Sequence, residues 1–115
     1  KLFSIAFGDS FLIKLNGIIE ENLQIPNLPI PLVANKMSLS RSQLHRKVTA
    51  ITGKNASKYI LFYRLQLAKE LLVNTDKNIS EIAYEVGFSD PNYFSRKFNK
   101  EFGTRPSAIR NIQKK

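Results

Sequence analysis

The sequence predicts an all-α fold in which two small helical subdomains are joined by a long linker helix. Three observations favour this fold. Apolar residues recur at three- and four-residue spacing along most of the chain, no stretch alternates at two-residue spacing over the length of a strand, and a pattern from the first half returns in the second. With 115 residues and 43% hydrophobic content, the chain is long enough for one compact domain or two very small ones.

The first predicted element is a helix over residues 10–23, with Asp9 or Ser10 as its N-cap. The prolines that follow this helix predict an extended connector as far as Pro31. A short helix is predicted over residues 31–36, because a proline is tolerated in the first turn, where its missing N–H would have no partner anyway.

Ser40 is the predicted N-cap of the next helix, which Gly53 ends. A longer helix over residues 57–73 follows and, at about 1.5 Å per residue, spans roughly 25 Å. Its predicted apolar stripe consists of Ile60, Tyr63, Leu67, Leu71 and Leu72. After a polar turn, short helices are predicted over residues 79–86 and 90–102, and a last one follows Pro106.

The chain contains an internal near-repeat. The copies are LVANKMSLSRSQLHRKVTAITG, residues 32–53, and EIAYEVGFSDPNYFSRKFNKEFG, residues 81–103. In each copy an alanine is followed by a serine, then by apolar-x-Arg-Lys-apolar, then by a glycine, and the second copy has one extra residue after its serine. We interpret each copy as a short helix, a tight turn at Met37-Ser38 or at Gly87, and a second helix capped by the serine. This is the helix-turn-helix pattern, whose second helix lies in the DNA major groove; the alternative is a helical hairpin used only for packing.

The charge also favours a polyanionic partner. The net charge is +9, from 18 basic and 9 acidic side chains. No Asp or Glu lies between Glu21 and Glu70, whereas the same interval contains Lys36, Arg41, Arg46, Lys47, Lys54, Lys58, Arg64 and Lys69. A field of one sign attracts nucleic acid first and an anionic membrane second, although a basic surface can also serve solubility alone.

The second half resembles the signature segment of the AraC/XylS-type bacterial transcription regulators, through ISEIAYEVGFSDPNYFSRKFNKEFGTRPSAIR. In the first half, SLSRSQLHRKVTAITG and YRLQLAKELL are similar to that family, and the resemblance covers residues 11–110. DSFLIKLNGIIEENL together with SRSQLHRKV is more similar to the output domains of hybrid two-component regulators. Departures from the family pattern are Asn55-Ala56 in place of Ser-Pro, Pro29 in place of a capping serine, and Ile109 where an aromatic residue is frequent.

The resemblance implies sequence-specific binding of double-stranded DNA as the output domain of a transcription regulator in the cytoplasm. It implies RNA polymerase as a partner and upstream sensor or dimerisation domains outside this fragment, which begins at Lys1 rather than at a methionine. The predicted division is an N-terminal tail at 1–10, a first helix-turn-helix subdomain at 11–54, a linker helix at 55–74, a second subdomain at 75–112 and a C-terminal tail at 113–115. The linker length is compatible with two recognition helices in successive major-groove segments.

The candidate DNA-binding residues lie on the two recognition helices. They are Arg41, Ser42, His45, Arg46 and Lys47 in the first, and Pro91, Asn92, Tyr93, Ser95, Arg96 and Lys97 in the second. Arginine can bond a guanine edge or a phosphate, and the donor and acceptor of Asn92 match adenine. Asp90 is expected to complement the helix N-terminus, and Phe94 and Phe98 are expected to pack inward. The Tyr93 ring could pack while its hydroxyl reaches a phosphate.

The sequence predicts no enzyme, no cofactor and no metal site. It has no cysteine, one histidine, no glycine-rich phosphate loop and no recognisable pair of catalytic carboxylates. An RNA-binding module and a basic protein-interaction domain remain as alternatives, although the strand-borne aromatics of RNA-binding folds are missing. The apolar runs are far shorter than the roughly 18 residues that cross a bilayer, so a soluble fragment without membrane contact is expected.

Overall fold

The computed structural model describes residues 7–113, over which the ordered elements are seven α-helices and no strand. The helices are α1 (Phe7–Glu21), α2 (Ile30–Lys36), α3 (Arg41–Thr52), α4 (Ala56–Asn74), α5 (Ile79–Glu85), α6 (Pro91–Phe102) and α7 (Pro106–Gln113). The all-α prediction is confirmed over these residues.

The predicted start of the first helix is wrong. Asp9 and Ser10 lie inside α1 rather than at its N-cap, because the helix already begins at Phe7. The helix ends at Glu21, where the Asn22 side chain donates to the Ile18 carbonyl at 2.7 Å. Of the predicted tails, residues 1–6 and 114–115 lie outside the described residues, and residues 7–10 and 113 are helical.

The chain forms two compact units. Unit 1 contains the described residues up to Asn22 and those from Asn27 to Ile60, with α2 and α3 as its helix-turn-helix. Unit 2 contains the short segment Leu23–Pro26 and the described residues from Leu61 onward, with α5 and α6 as its helix-turn-helix. The linker helix α4 therefore supplies its first residues to unit 1 and the others to unit 2.

Unit 1 has a small apolar core with one buried phenol. The core consists of Leu15, Ile18, Ile19, Leu28, Val33, Ala34, Met37, Leu44, Val48, Ala56, Tyr59 and Ile60. The Tyr59 hydroxyl donates to Oδ1 of Asn16 at 2.6 Å, and burial raises the pKa of Tyr59. This hydrogen bond gives the hydroxyl of the buried Tyr59 ring a partner in place of water.

Unit 2 has a core of aliphatic residues from α4 and α5 and aromatic residues around α6. It consists of Leu65, Ala68, Leu72, Ile82, Ala83, Val86, Phe88, Phe94 and Phe98. The apolar stripe predicted for the linker helix agrees with the structure: Ile60 and Leu72 are buried, and Leu67 and Leu71 are half-buried and pack against the core of unit 2. Tyr63 is half-buried. The two ends of α4 pack into different cores.

The turns of the two helix-turn-helix motifs have the same hydrogen bonds. These are Ser38 N to Asn35 O (3.0 Å), Leu39 N to Ala34 O (2.9 Å), Gly87 N to Tyr84 O (3.0 Å) and Phe88 N to Ala83 O (2.9 Å). Both turns need a left-handed residue, which is Ser38 with φ 60° in one and Gly87 with φ 101° in the other. The predicted turn positions are therefore confirmed.

The two left-handed positions should respond differently to substitution. A Cβ added at Gly87 would lie 2.4 Å from Nη1 of Arg64 and 2.5 Å from the carbonyl oxygen of Leu23. We expect Gly87→Ala to lower the free energy of unfolding by about 2–5 kcal/mol, from left-handed strain and overlap together. Ser38→Gly should change it by less than about 1 kcal/mol, because relief of strain and added chain entropy oppose each other. Urea titration would measure both, and equal effects would contradict the distinction.

Candidate nucleic-acid interface

The first recognition helix, α3, begins at a complete capping box. Oγ of Ser40 accepts from the Gln43 backbone N–H at 3.1 Å, and the Ser40 N–H donates to Oε1 of Gln43 at 2.9 Å. Gly53, in the left-handed conformation with φ 77°, ends the helix as predicted. Leu44 and Val48 are fully buried and so fix which face of α3 turns toward the core.

All five candidate residues of α3 are exposed: Arg41, Ser42, His45, Arg46 and Lys47. Ser42, His45 and Arg46 share one face through their three- and four-residue spacing. The N-terminal half of α3 therefore presents a polar, basic surface with no carboxylate on the helix itself.

The second recognition helix, α6, begins one residue later than the sequence predicts. Asp90, rather than Ser89, is the N-cap, and its Oδ1 accepts from the Asn92 N–H at 2.9 Å. Ser89 is thus the extra residue of the second copy, placed between the turn and the cap. The expected role of Asp90 at the helix N-terminus is confirmed, as is the burial of Phe94 and Phe98.

The six candidates of α6 differ in exposure. Asn92, Tyr93 and Arg96 are exposed, and Pro91, Ser95 and Lys97 are half-buried. The ring centroid of Tyr93 lies 6.1 Å from that of Phe88, so the ring packs beside the turn. The Arg96 guanidinium and the Lys97 ammonium lie 5.8 and 5.6 Å from the Tyr93 ring centroid, within the range of cation–π attraction.

The candidate faces of the two helices match in register. Arg46 and Arg96 are each the sixth residue of their helix, and Lys47 and Lys97 are each the seventh. In both helices the fourth and eighth residues are buried, as the fold of each unit requires. Each unit therefore holds an exposed arginine followed by a lysine on a capped helix, and these are the side chains that phosphate and guanine recognition uses.

Arg64 does not contribute to the basic surface, although it lies in the interval without acidic residues. It is 3% exposed and donates to the carbonyl oxygens of Ile25, Pro26 and Gly87. Burial lowers the pKa of the Arg64 side chain. The side chain nevertheless stays protonated and positively charged, as arginine does in proteins. The burial of Arg64 was not predicted, because an arginine between apolar residues in a helix gives no signal of its burial.

Two other side chains shape the site from outside the predicted set. Gln43 completes the capping box of α3, and the Ser-x-x-Gln spacing before an apolar run is a signal that could have identified it. Asn55, in place of the Ser-Pro pair typical of the family, accepts from the Lys58 N–H at 2.8 Å and so caps α4. Among the described residues, no cluster of His, Cys, Asp or Glu could hold a metal ion, and no helix is long and apolar enough to cross a membrane.

Comparison with known proteins agrees with this geometry. The family model of a helix-turn-helix domain matches residues 33–112. The chain is 34% identical over 106 residues to the histidine kinase P4 of Formosa agariphila, and it is 42% identical over 78 residues to the HTH-type transcriptional activator RhaS of Enterobacter sp. (strain 638). The matches cover 92% and 68% of this chain but only 8% and 28% of those two proteins.

A solved structure supports the same assignment. The crystal structure of a transcriptional regulator with an AraC-type DNA-binding domain, from Chromobacterium violaceum, superposes with a TM-score of 0.83 at 31% identity. The superposition covers 95% of this chain and 96% of that one. The same family assignment is supported by the two capped helices with matched basic residues, by the family model and by this structural likeness. The chain therefore belongs to the AraC/XylS-type helix-turn-helix family, the DNA-binding domains of transcription regulators.

Proposed function

We propose that this domain is the output domain of a hybrid two-component regulator, with α3 and α6 entering successive major-groove segments of an asymmetric site. The observation that supports two recognition helices is the equivalent register of Arg46 and Arg96 on exposed, capped helices. The similarity to a histidine kinase over 92% of this chain supports the two-component assignment. In this proposal the parent protein acts in the cytoplasm, contains upstream sensor or dimerisation domains and contacts RNA polymerase.

The side chains divide by chemistry into base and phosphate contacts. Asn92 can bond adenine through its N6 and N7 atoms, and Arg46 and Arg96 can bond guanine through O6 and N7 or clamp a phosphate. Lys47 and Lys97 are point charges suited to phosphates. Ser42, Ser95 and His45 can add single hydrogen bonds. Arg41 and Pro91 are the first residues of α3 and α6, and in this proposal they lie beside the DNA backbone.

Selection of duplexes from a random library tests this proposal. We expect enrichment of two short motifs about one helical turn apart, since each recognition helix contacts one groove segment. The affinity of the selected duplexes should fall steeply with salt, by a slope of about −0.9 in log K against log salt for each phosphate neutralised. Salt-sensitive binding without any enriched sequence would refute sequence-specific recognition by this domain.

Charge-neutralising variants separate phosphate contacts from base contacts. Lys47→Gln and Lys97→Gln should each reduce the magnitude of the salt slope by about 1 and weaken binding to all duplexes nearly equally.

The assignment to a two-component regulator is tested with the parent protein. That protein should take up labelled phosphate from ATP, and phosphorylation should raise its affinity for DNA. A parent protein that shows neither response would contradict that assignment alone.

A further inference from the structure

Arg64 is a charged side chain enclosed by backbone carbonyls in unit 2. Its Nη2 donates to the Ile25 carbonyl at 2.7 Å, and its Nη1 donates to those of Pro26 at 2.9 Å and Gly87 at 3.2 Å. A buried cation is costly unless it is hydrogen-bonded, and here neutral carbonyls accept from both terminal nitrogens, Nη1 and Nη2. The planar fork of a guanidinium can bridge separate backbone segments, which the point charge of a lysine cannot do equally well.

The carbonyl of Gly87 belongs to the turn that leads into α6. The next residue, Phe88, packs its ring on Phe94 at 5.2 Å and on Tyr93 at 6.1 Å between centroids. The turn approaches Arg64 so closely that only a glycine fits, since a Cβ at residue 87 would lie 2.4 Å from Nη1. A shift of this turn would therefore displace the first turn of α6, because the Phe88 ring contacts Tyr93 and Phe94 there.

We infer that Arg64 is a positioning residue for base recognition by α6. It holds the Gly87 turn, and hence the angle at which α6 presents Asn92 and Arg96, while its own side chain is buried. This inference rests on the proposed function of α6 as a recognition helix. It predicts that a change at Arg64 alters which bases are recognised, and not only how stable the unit is.

Arg110 provides a matched control within the same unit. It also donates to three carbonyls, through Nε to Leu72 at 3.0 Å, Nη1 to Lys77 at 2.6 Å and Nη2 to Thr75 at 2.9 Å. These carbonyls lie at the end of α4 and in the segment after it, and none belongs to the turn before α6. Arg110→Lys should therefore lower the melting temperature but leave the recognised sequence intact.

The experiment selects duplexes from a random library with the wild-type domain, Arg64→Lys and Arg110→Lys, and measures thermal unfolding of all three. Arg46→Ala and Arg96→Ala assign each half of the wild-type motif to α3 or α6. We expect Arg64→Lys to weaken base preference by about 10-fold or more in the α6 half and to keep the α3 half. Arg110→Lys should keep both halves.

The inference is overturned if Arg64→Lys lowers the melting temperature but leaves the base preference unchanged in both halves of the motif. It is also overturned if the variant weakens the base preference equally in both halves. If Arg64→Lys does not fold, Arg64→Gln is tested in the same way; failure of both to fold means that Arg64 supports the whole unit, which also overturns the inference. A wild-type domain that selects no motif would instead refute the proposed function itself.

Discussion

Phe98→Ala should lower the free energy of unfolding by about 3–5 kcal/mol, the range for removing a fully buried phenylalanine ring. Phe98 is completely inaccessible to solvent, and its ring centroid lies 5.7 Å from that of Phe94 and 4.7 Å from that of Phe102. The cavity would lie directly behind the exposed face of α6. Small domains are stable by about 5–15 kcal/mol, so this substitution removes a large fraction of the free energy of unfolding. Near the lowered melting temperature of the variant, specific DNA binding should therefore be lost because the domain unfolds.

Urea unfolding followed by circular dichroism would measure this loss. Tyr84→Ala is the matched control, because it removes an aromatic ring from the same unit at a position that is 55% exposed. The control should change the free energy of unfolding by less than about 0.5 kcal/mol. A Phe98→Ala variant that unfolds within about 1 kcal/mol of the wild type would show that the aromatic cluster does not hold α6 in place.

Arg46→Ala and Arg96→Ala should each weaken binding to the selected duplex by roughly 5–150-fold, which corresponds to about 1–3 kcal/mol for a bidentate contact. Each variant should relax base preference in one half of the motif and leave the other half unchanged. In the double variant the free-energy losses should add, because the two arginines have no shared partner on the duplex in this proposal.

Fluorescence anisotropy with the selected duplex and a scrambled duplex would separate specific from non-specific affinity. Ala50→Ser is a suitable control, since Ala50 is exposed on α3 but lies beyond its N-terminal half. If both arginine variants bind the selected duplex as the wild type does, α3 and α6 are not the recognition helices. Equal losses on both duplexes would make the arginines phosphate contacts rather than base contacts.

Local signals in the sequence predicted much of the fold. Ser40 and Gly53 bound α3 as expected, because a serine cap and a left-handed glycine act on the backbone beside them. The cap of α6 was misplaced because Ser89 and Asp90 are adjacent residues that both cap well, and only the geometry of the turn selects Asp90. The burial of Arg64 could not be predicted, since it depends on carbonyls supplied by residues far away in the chain.

The capping box of α3 restricts the chemistry with which that helix can recognise a base. Gln43 is the only amide side chain on α3, and its Oε1 already accepts from the Ser40 backbone N–H. Bidentate bonding to adenine needs both the donor and the acceptor of an amide. While the capping box is intact, Gln43 therefore cannot recognise an A·T pair in this way. On α6 the corresponding chemistry is available from the exposed Asn92. The two halves of a binding site would therefore differ in base composition, with adenine contacts concentrated under α6.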